Sequence, residues 1–232
     1  MTKENFLRIS LTRKETLWGL QYLLFHTVFL TSLLHTANWA LGTPLDATGI
    51  NLVFFSINFA AALLIFHRYL KQFLQVDAKS ILRIVGFGIL FFAVYRGSTA
   101  LLSHAFSLIC PELVNLNDRD VTAMIEGNYF LMFIGTVLFV PVAEECFHRG
   151  LVFRGLYDRS PVAAFFVSAA VFSAIHIIHY VGSYAPVELF LSFVQYLPAG
   201  LCLAGAYRLS GSLLCPIFIH MAVNAMGMLA LR

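Results

Sequence analysis

Four ionisable side chains lie within six residues of the segment PVAEECFHRG, which occupies positions 141–150. They are Glu144, Glu145, His148 and Arg149. Because neighbouring residues on a helix point about 100° apart, the two glutamates cannot face one target equally. Glu145 and Arg149 have the i,i+4 spacing of a helical ion pair, with the acid first. This pairing would leave Glu144 free to accept and return a proton.

Two later segments place polar side chains at the same four-residue spacing. Phe172 and His176 share one helix face, and His220 and Asn224 share another. One carboxylate, two imidazoles and one carboxamide together suit hydrolysis of a peptide bond. Glu144, helped by His176, would deprotonate a water molecule. His220 and Asn224 would donate hydrogen bonds to the oxyanion that forms.

The same side chains also suit a metal. Glu144, His176 and His220 form a set of two histidines and one glutamate, which in zinc enzymes leaves one position open for water. Zn²⁺ or another divalent metal is therefore one alternative, and water activated by the glutamate without metal is the other. The motifs H-E-x-x-H of zinc proteases and G-x-S-x-G of serine hydrolases are both absent.

The elements that carry these residues are predicted to be membrane helices. Only 12% of the 232 residues are charged and 59% are hydrophobic, whereas about 25% of a soluble domain is charged. Several apolar stretches reach the ~20 residues that cross a bilayer. We therefore predict an all-α, polytopic transmembrane helical bundle in lipid, with seven or eight spans. The seven clear spans are 17–35, 50–67, 84–106, 130–153, 162–180, 188–207 and 212–231.

Lysine and arginine concentrate in every second connection between these spans. Basic residues, Arg8 among them, precede the first span, and others follow the second, fourth and sixth. The connections 36–49 and 181–187 have none, and 107–129 has Arg119 among acidic residues that include Glu112 and Glu126. The positive-inside rule then places the N-terminus in the cytoplasm. We expect the active site to be accessible from the cytoplasmic side as well.

The fifth span carries small residues four positions apart. The pairs are Ala164 with Ser168, Ala169 with Ser173, and Ala170 with Ala174. Such faces let helices pack closely in lipid, so we predict a packing face here.

Other classes of protein are disfavoured. The net charge of +3 is small and the basic residues form no block, which argues against nucleic acid as a partner. The four cysteines have no C-x-x-C spacing, so neither a disulfide framework nor a cysteine zinc site is indicated. The first apolar run is longer than the 7–15 residues typical of a signal peptide core, and we interpret it as an uncleaved span.

The three polar segments resemble the motifs of the CAAX-protease and bacteriocin-processing (CPBP) family, which includes the type II CAAX prenyl endopeptidases. Those motifs are E-E-x-x-x-R, F-x-x-x-H and H-x-x-x-N. Here they read Glu144-Glu145-x-x-x-Arg149, Phe172-x-x-x-His176 and His220-x-x-x-Asn224, in the family's order. We divide the chain into N-terminal helices, 1–126, and a catalytic core, 127–232, within one integrated membrane domain.

This resemblance implies an intramembrane endopeptidase that acts on a peptide or membrane-protein substrate. It places Glu144, His176, His220 and Asn224 in the site, and the supporting residues are Glu145, Arg149, Phe172 and His148. One position departs from the family, because His148 stands where Phe is common. By helical spacing His148 adjoins Glu144, where it could compete as a ligand or hold the carboxylate ionised.

Two other functions fit the same residues. In a non-proteolytic membrane scaffold or a bacteriocin immunity protein, the polar cluster would only hold helices together. In a transporter subunit, Arg96 and Gln195 would line a pathway with the site residues, although the sequence shows no inverted repeat. The short loops and the lack of an organelle signal favour a multi-pass protein of a bacterial cell membrane.

Overall fold

The computed structural model describes residues 9–42, 44–74, 76–110, 116–125 and 127–231. Three charges that contributed to the predicted sidedness, Arg8, Glu112 and Glu126, lie outside these residues. The regular structure of the described residues is helical throughout, which confirms the predicted all-α class.

Within the described chain, six helices are long and apolar enough to cross a membrane. They are α1 (Arg13–Ala40), α2 (Ala47–Ile65), α4 (Ala78–Ile109), α6 (Tyr129–Tyr157), α7 (Pro161–Tyr180) and α8 (Pro186–Ser210). A shorter apolar helix, α9 (Leu214–Ala230), follows them. Two short helices, α3 (His67–Lys71) and α5 (Leu116–Ile125), connect the long ones. Each of the seven predicted spans therefore corresponds to one apolar helix.

Local side-chain caps set where several of these helices begin. Thr12 and Glu15 form a reciprocal capping box at the start of α1. The carboxylate of Asp46 accepts a hydrogen bond from a backbone N–H of the first turn of α2, and Asp77 does the same for α4. Ser160 caps α7 directly before a proline at the first helical position. Short polar residues thus mark the helix starts between apolar runs.

The bundle has one end rich in basic residues. Here Arg154 Nε donates to the carbonyl oxygen of Ile9, and Gln72 Nε2 donates to that of Ser10 at 3.1 Å. These bonds join the residues before α1 to the α3 region and to the end of α6. We call this the basic end; its described lysines and arginines are Arg13, Lys14, Arg68, Lys71, Lys79, Arg83, Arg154, Arg159 and Arg208.

The opposite end joins the remaining helix termini. Thr48 Oγ1 donates to the carbonyl oxygen of Met124 at 2.8 Å, which ties α2 to α5. The hydroxyl of Tyr129 donates to the carbonyl oxygen of Met228 at 3.3 Å, which ties α6 to α9. We call this the acidic end; the sequence of its described connections and short helix contains four acidic residues, Asp46, Asp118, Asp120 and Glu188, and one basic residue, Arg119.

Helices α7 and α8 approach each other closely along the predicted small-residue face. Ala164, Ser168, Ala169 and Ser173 are all fully buried, whereas the third predicted pair is only half-buried. A Cβ added at Gly200 of α8 would lie 2.7 Å from the Cα of Ala169. The packing face is therefore confirmed, and the contact depends on a residue with no side chain at this position.

Candidate active site

Glu144 lies at the centre of the candidate site. It belongs to a regular α-helical stretch of α6, Val140–Glu145, and its side chain is 24% exposed. Its Oε2 atom lies 3.9 Å from Nε2 of His176 and 4.0 Å from Nε2 of His220. Helices α6, α7 and α9 thus bring together Glu144, His176 and His220, with both histidine rings near one oxygen of the glutamate. That oxygen is buried and has no hydrogen-bond partner in the described residues.

The second ring nitrogen of each histidine is held by a defined acceptor. Nδ1 of His176 lies 2.8 Å from the carbonyl oxygen of Phe172, and Nδ1 of His220 lies 2.9 Å from Oε1 of Glu145. Because a carbonyl and a carboxylate can only accept, both Nδ1 atoms donate. A neutral imidazole held this way carries its lone pair on Nε2, the nitrogen that faces Glu144.

Glu145 and Arg149 form the predicted ion pair, with Oε1 and NH1 3.0 Å apart and both side chains fully buried. Arg149 NH2 also donates to the carbonyl oxygen of Gly200 at 3.2 Å, and its guanidinium lies 4.7 Å from the ring centre of Phe172. Since Oε1 of Glu145 accepts from His220 too, this carboxylate joins α6 to α9. The sequence predicted the ion pair but not the bond to His220.

His148 does not take the position that its spacing predicted. It forms no hydrogen bond or ion pair with Glu144, and both ring nitrogens lack a hydrogen-bond partner in the described residues. Its ring instead packs edge-on against Phe172, with centroids 5.1 Å apart. The residue lies in a π-helical segment, Cys146–Phe153. The wider i→i+5 turns of that segment change the α-helical facing that the prediction assumed.

Asn224 lines the same cavity as Glu144, but its amide bonds to a backbone oxygen and not to Glu144. Its Nδ2 donates to the carbonyl oxygen of Thr136 at 2.9 Å. A carboxamide nitrogen carries two hydrogens, so one remains for a ligand. Thr136 itself lies in a second π-helical segment of α6, Gly135–Phe139. The two segments flank the stretch that carries Glu144, and such segments often occur at functional sites.

Residues 126–226 match the family model described as type II CAAX prenyl endopeptidase Rce1-like. Over this part, the chain is similar to the type II CAAX prenyl endopeptidases. The matched residues include all three motifs. No curated protein and no solved structure matches the chain. This similarity supports a membrane-embedded protease as the class of activity.

The sequence analysis missed two residues of the candidate site, Tyr196 and His26. Tyr196 of α8 stacks on the ring of His176 with centroids 4.3 Å apart. His26 of α1 lines the same cavity, and neither of its ring nitrogens has a hydrogen-bond partner in the described residues. Tyr196 lies outside the three motifs and gave no signal. His26 did offer one, because it is a titratable residue within an apolar span.

The candidate site opens into a cavity of about 710 Å³. Arg96 and Gln195, which a transporter would use, also line it. The wall extends from Glu144 to residues near the acidic end of the bundle, including Ser103 and Tyr180. The cavity therefore runs toward the acidic end, and not toward the basic end from which we expected access.

The spacing of the three polar atoms tests the metal alternative. Ligand atoms about 2.0–2.2 Å from a tetrahedral zinc lie about 3.3–3.6 Å from each other, which is shorter than the 3.9 and 4.0 Å found here. No group of three His, Cys, Asp or Glu side chains in the described residues could hold a metal ion. Two acceptors that share one water at about 2.8 Å can lie about 4 Å apart. These distances match side chains that share one water molecule, and a tetrahedral zinc would require the three atoms to lie closer together.

Proposed function

We propose that the chain is an intramembrane endopeptidase in which Glu144 activates a water molecule for attack on a peptide bond. The observation that carries this proposal is the position of its Oε2 atom, 3.9 and 4.0 Å from the Nε2 atoms of His176 and His220. All three residues line one cavity. A water held among a carboxylate and two imidazoles is oriented before the substrate binds.

In the first step, the water oxygen forms a bond to the peptide carbonyl carbon, and one water proton moves to Oε2 of Glu144. The electron pair of the carbonyl bond moves to its oxygen, which becomes the oxyanion. In the second step this pair returns, the C–N bond breaks, and the leaving nitrogen takes the proton from Glu144. His176 helps to orient the water through Nε2.

Two groups would stabilise the oxyanion in this proposal. Asn224 keeps one amide hydrogen after its bond to Thr136. His220 donates from Nε2 when its ring carries a second proton. The carboxylate of Glu145 accepts from Nδ1 and fixes the orientation of the ring, in the way an acidic residue orients the histidine of a catalytic triad. Glu145 would therefore act through His220 and not on the substrate.

The first test compares the Glu144→Gln variant with the parent chain. Membrane peptidomes of cells carrying either chain would identify peptides that only the parent produces, and a synthetic copy of one would then be assayed with purified protein. We expect turnover to fall about 10²–10⁴-fold in the variant, the usual contribution of a general base. The matched control is Glu188→Gln, since this residue caps α8 outside the cavity and glutamine can still cap.

The outcome distinguishes the other functions. Retained turnover in purified Glu144→Gln protein would refute the proposed role of Glu144. A lower yield of folded protein without any change in the peptidome would instead indicate a scaffold. Repeating the assay with a chelator tests the metal alternative: water activated by Glu144 alone predicts unchanged turnover, whereas a metal held by Glu144, His176 and His220 predicts its loss.

A further inference from the structure

The charges of the two ends of the bundle indicate how it lies in the membrane. Among the described residues, every lysine or arginine outside the middle of the long helices lies at the basic end, with the exception of Arg119. Hydrogen bonds gather these basic segments into one place, as with Arg154 and the carbonyl oxygen of Ile9. The positive-inside rule assigns such an end to the cytoplasm. The acidic end then lies on the extracytoplasmic side.

Tightly packed aromatic residues close the bundle between the cavity and the basic end. Phe147 lines the cavity, whereas Phe66 does not. Their rings pack edge-on, with centroids 5.2 Å apart. Beyond Phe66, the side chains of Tyr69, Phe153 and Tyr207 are all fully buried. The hydroxyls of Tyr69 and Tyr207 form a hydrogen bond with each other. These fully buried side chains lie between the cavity wall at Phe147 and the basic end.

The other side of the cavity is exposed. Four of its lining residues, His35, Arg96, Ser103 and Leu231, are exposed, and they belong to α1, to α4 and to the end of α9. All four lie in the half of the bundle that leads to the acidic end. The cavity therefore connects Glu144 with that end.

We infer that the site receives its substrate from the extracytoplasmic side. The substrate class is then an exported peptide, or an extracytoplasmic segment of a membrane protein, and not a segment that remains in the cytoplasm. The identity of the substrate class rests on the proposed function. The direction of the cavity does not, because it follows from lining residues, packing and charge alone.

Cysteine reporters test the direction without any need for activity. Thr99→Cys and Val140→Cys each place a thiol on the cavity wall, and Arg159→Cys places one at the exposed basic end. The background carries Cys110→Ser, since the three other native cysteines are buried. A membrane-impermeant maleimide would be applied to right-side-out and to inside-out vesicles that contain the full chain. Two cavity reporters are used so that one poorly folding variant does not decide the result.

We expect the cavity thiols to be labelled only in right-side-out vesicles, and the control thiol only in inside-out vesicles. Labelling of the cavity thiols only in inside-out vesicles, or equally in both, would overturn the inference. Lack of labelling in both, with full reaction after denaturation, would also overturn it, because a sealed site receives substrate from neither side.

A second arm separates this inference from the proposed function. Proteoliposomes of known orientation would receive a peptide from the peptidome comparison on one face at a time. Cleavage only on the face of the acidic end supports both conclusions, and cleavage only on the face of the basic end overturns the inference. One-sided labelling without cleavage from either face would refute the protease and leave the direction of the cavity supported.

Discussion

Substitution by glutamine should lower the stability of the protein much more at Glu145 than at the neighbouring Glu144. Replacement of Glu145 by Gln keeps the shape of the side chain but removes its charge. The carboxylate is fully buried and its Oε1 accepts from Arg149 at 3.0 Å and from His220 at 2.9 Å. The substitution leaves the buried guanidinium of Arg149 without its counter-charge, so we expect a large loss of stability.

The structure limits the size of that loss. Breaking a buried ion pair by removing one partner costs about 3–5 kcal/mol. The lower figure applies here, because glutamine still offers an oxygen and Arg149 keeps its bond to Gly200 and its contact with Phe172. A loss of about 3 kcal/mol in a chain of this size lowers the unfolding temperature by about 6–12 °C. Glu144→Gln should change that temperature by much less, since its Oε2 has no protein partner to lose.

Thermal unfolding of the purified variants in detergent measures the difference. The double variant Glu145→Gln/Arg149→Met removes both charges. Its loss of stability should be smaller than the sum of the losses in the two single variants. The reasoning would be refuted if Glu145→Gln unfolded at the same temperature as Glu144→Gln. It would also be refuted if the double variant showed only the additive loss.

Three further substitutions follow from the packing, and thermal unfolding in detergent checks each of them. Gly200→Ala puts a Cβ 2.7 Å from the backbone of α7 and should cost about 1–3 kcal/mol, whereas Gly86→Ala, with nothing within 4 Å, should be neutral or slightly stabilising. His148→Phe removes two buried ring nitrogens that lack partners, so we expect about 1–3 kcal/mol of added stability; a loss would show that these nitrogens have a partner. Tyr69→Phe removes the hydrogen bond between the buried hydroxyls of Tyr69 and Tyr207 and should cost about 0.5–1.5 kcal/mol, and the double variant Tyr69→Phe/Tyr207→Phe should lose less than the sum of the two single losses; full additivity would contradict their hydrogen bond.

The sequence by itself determined the helices and the residues of the site. Long apolar runs predict membrane helices because burial of the backbone in lipid requires its hydrogen bonds to be made within each segment. Four-residue spacing predicts shared faces because it reflects local helix geometry. The Glu145–Arg149 ion pair and the pairing of His176 with Phe172 are both contacts within one helix, and both are present.

Only the tertiary structure decided how these faces meet. Helical spacing placed His148 beside Glu144, but the π-helical turns of α6 and the packing against Phe172 place it elsewhere. The bond between Glu145 and His220 joins residues 75 positions apart, so no local pattern could predict it. The direction of the cavity likewise depends on where side chains of distant helices pack tightly, as Phe66, Tyr69 and Tyr207 do. Side-chain packing between distant helices sets that direction, and hydropathy along the chain does not record it.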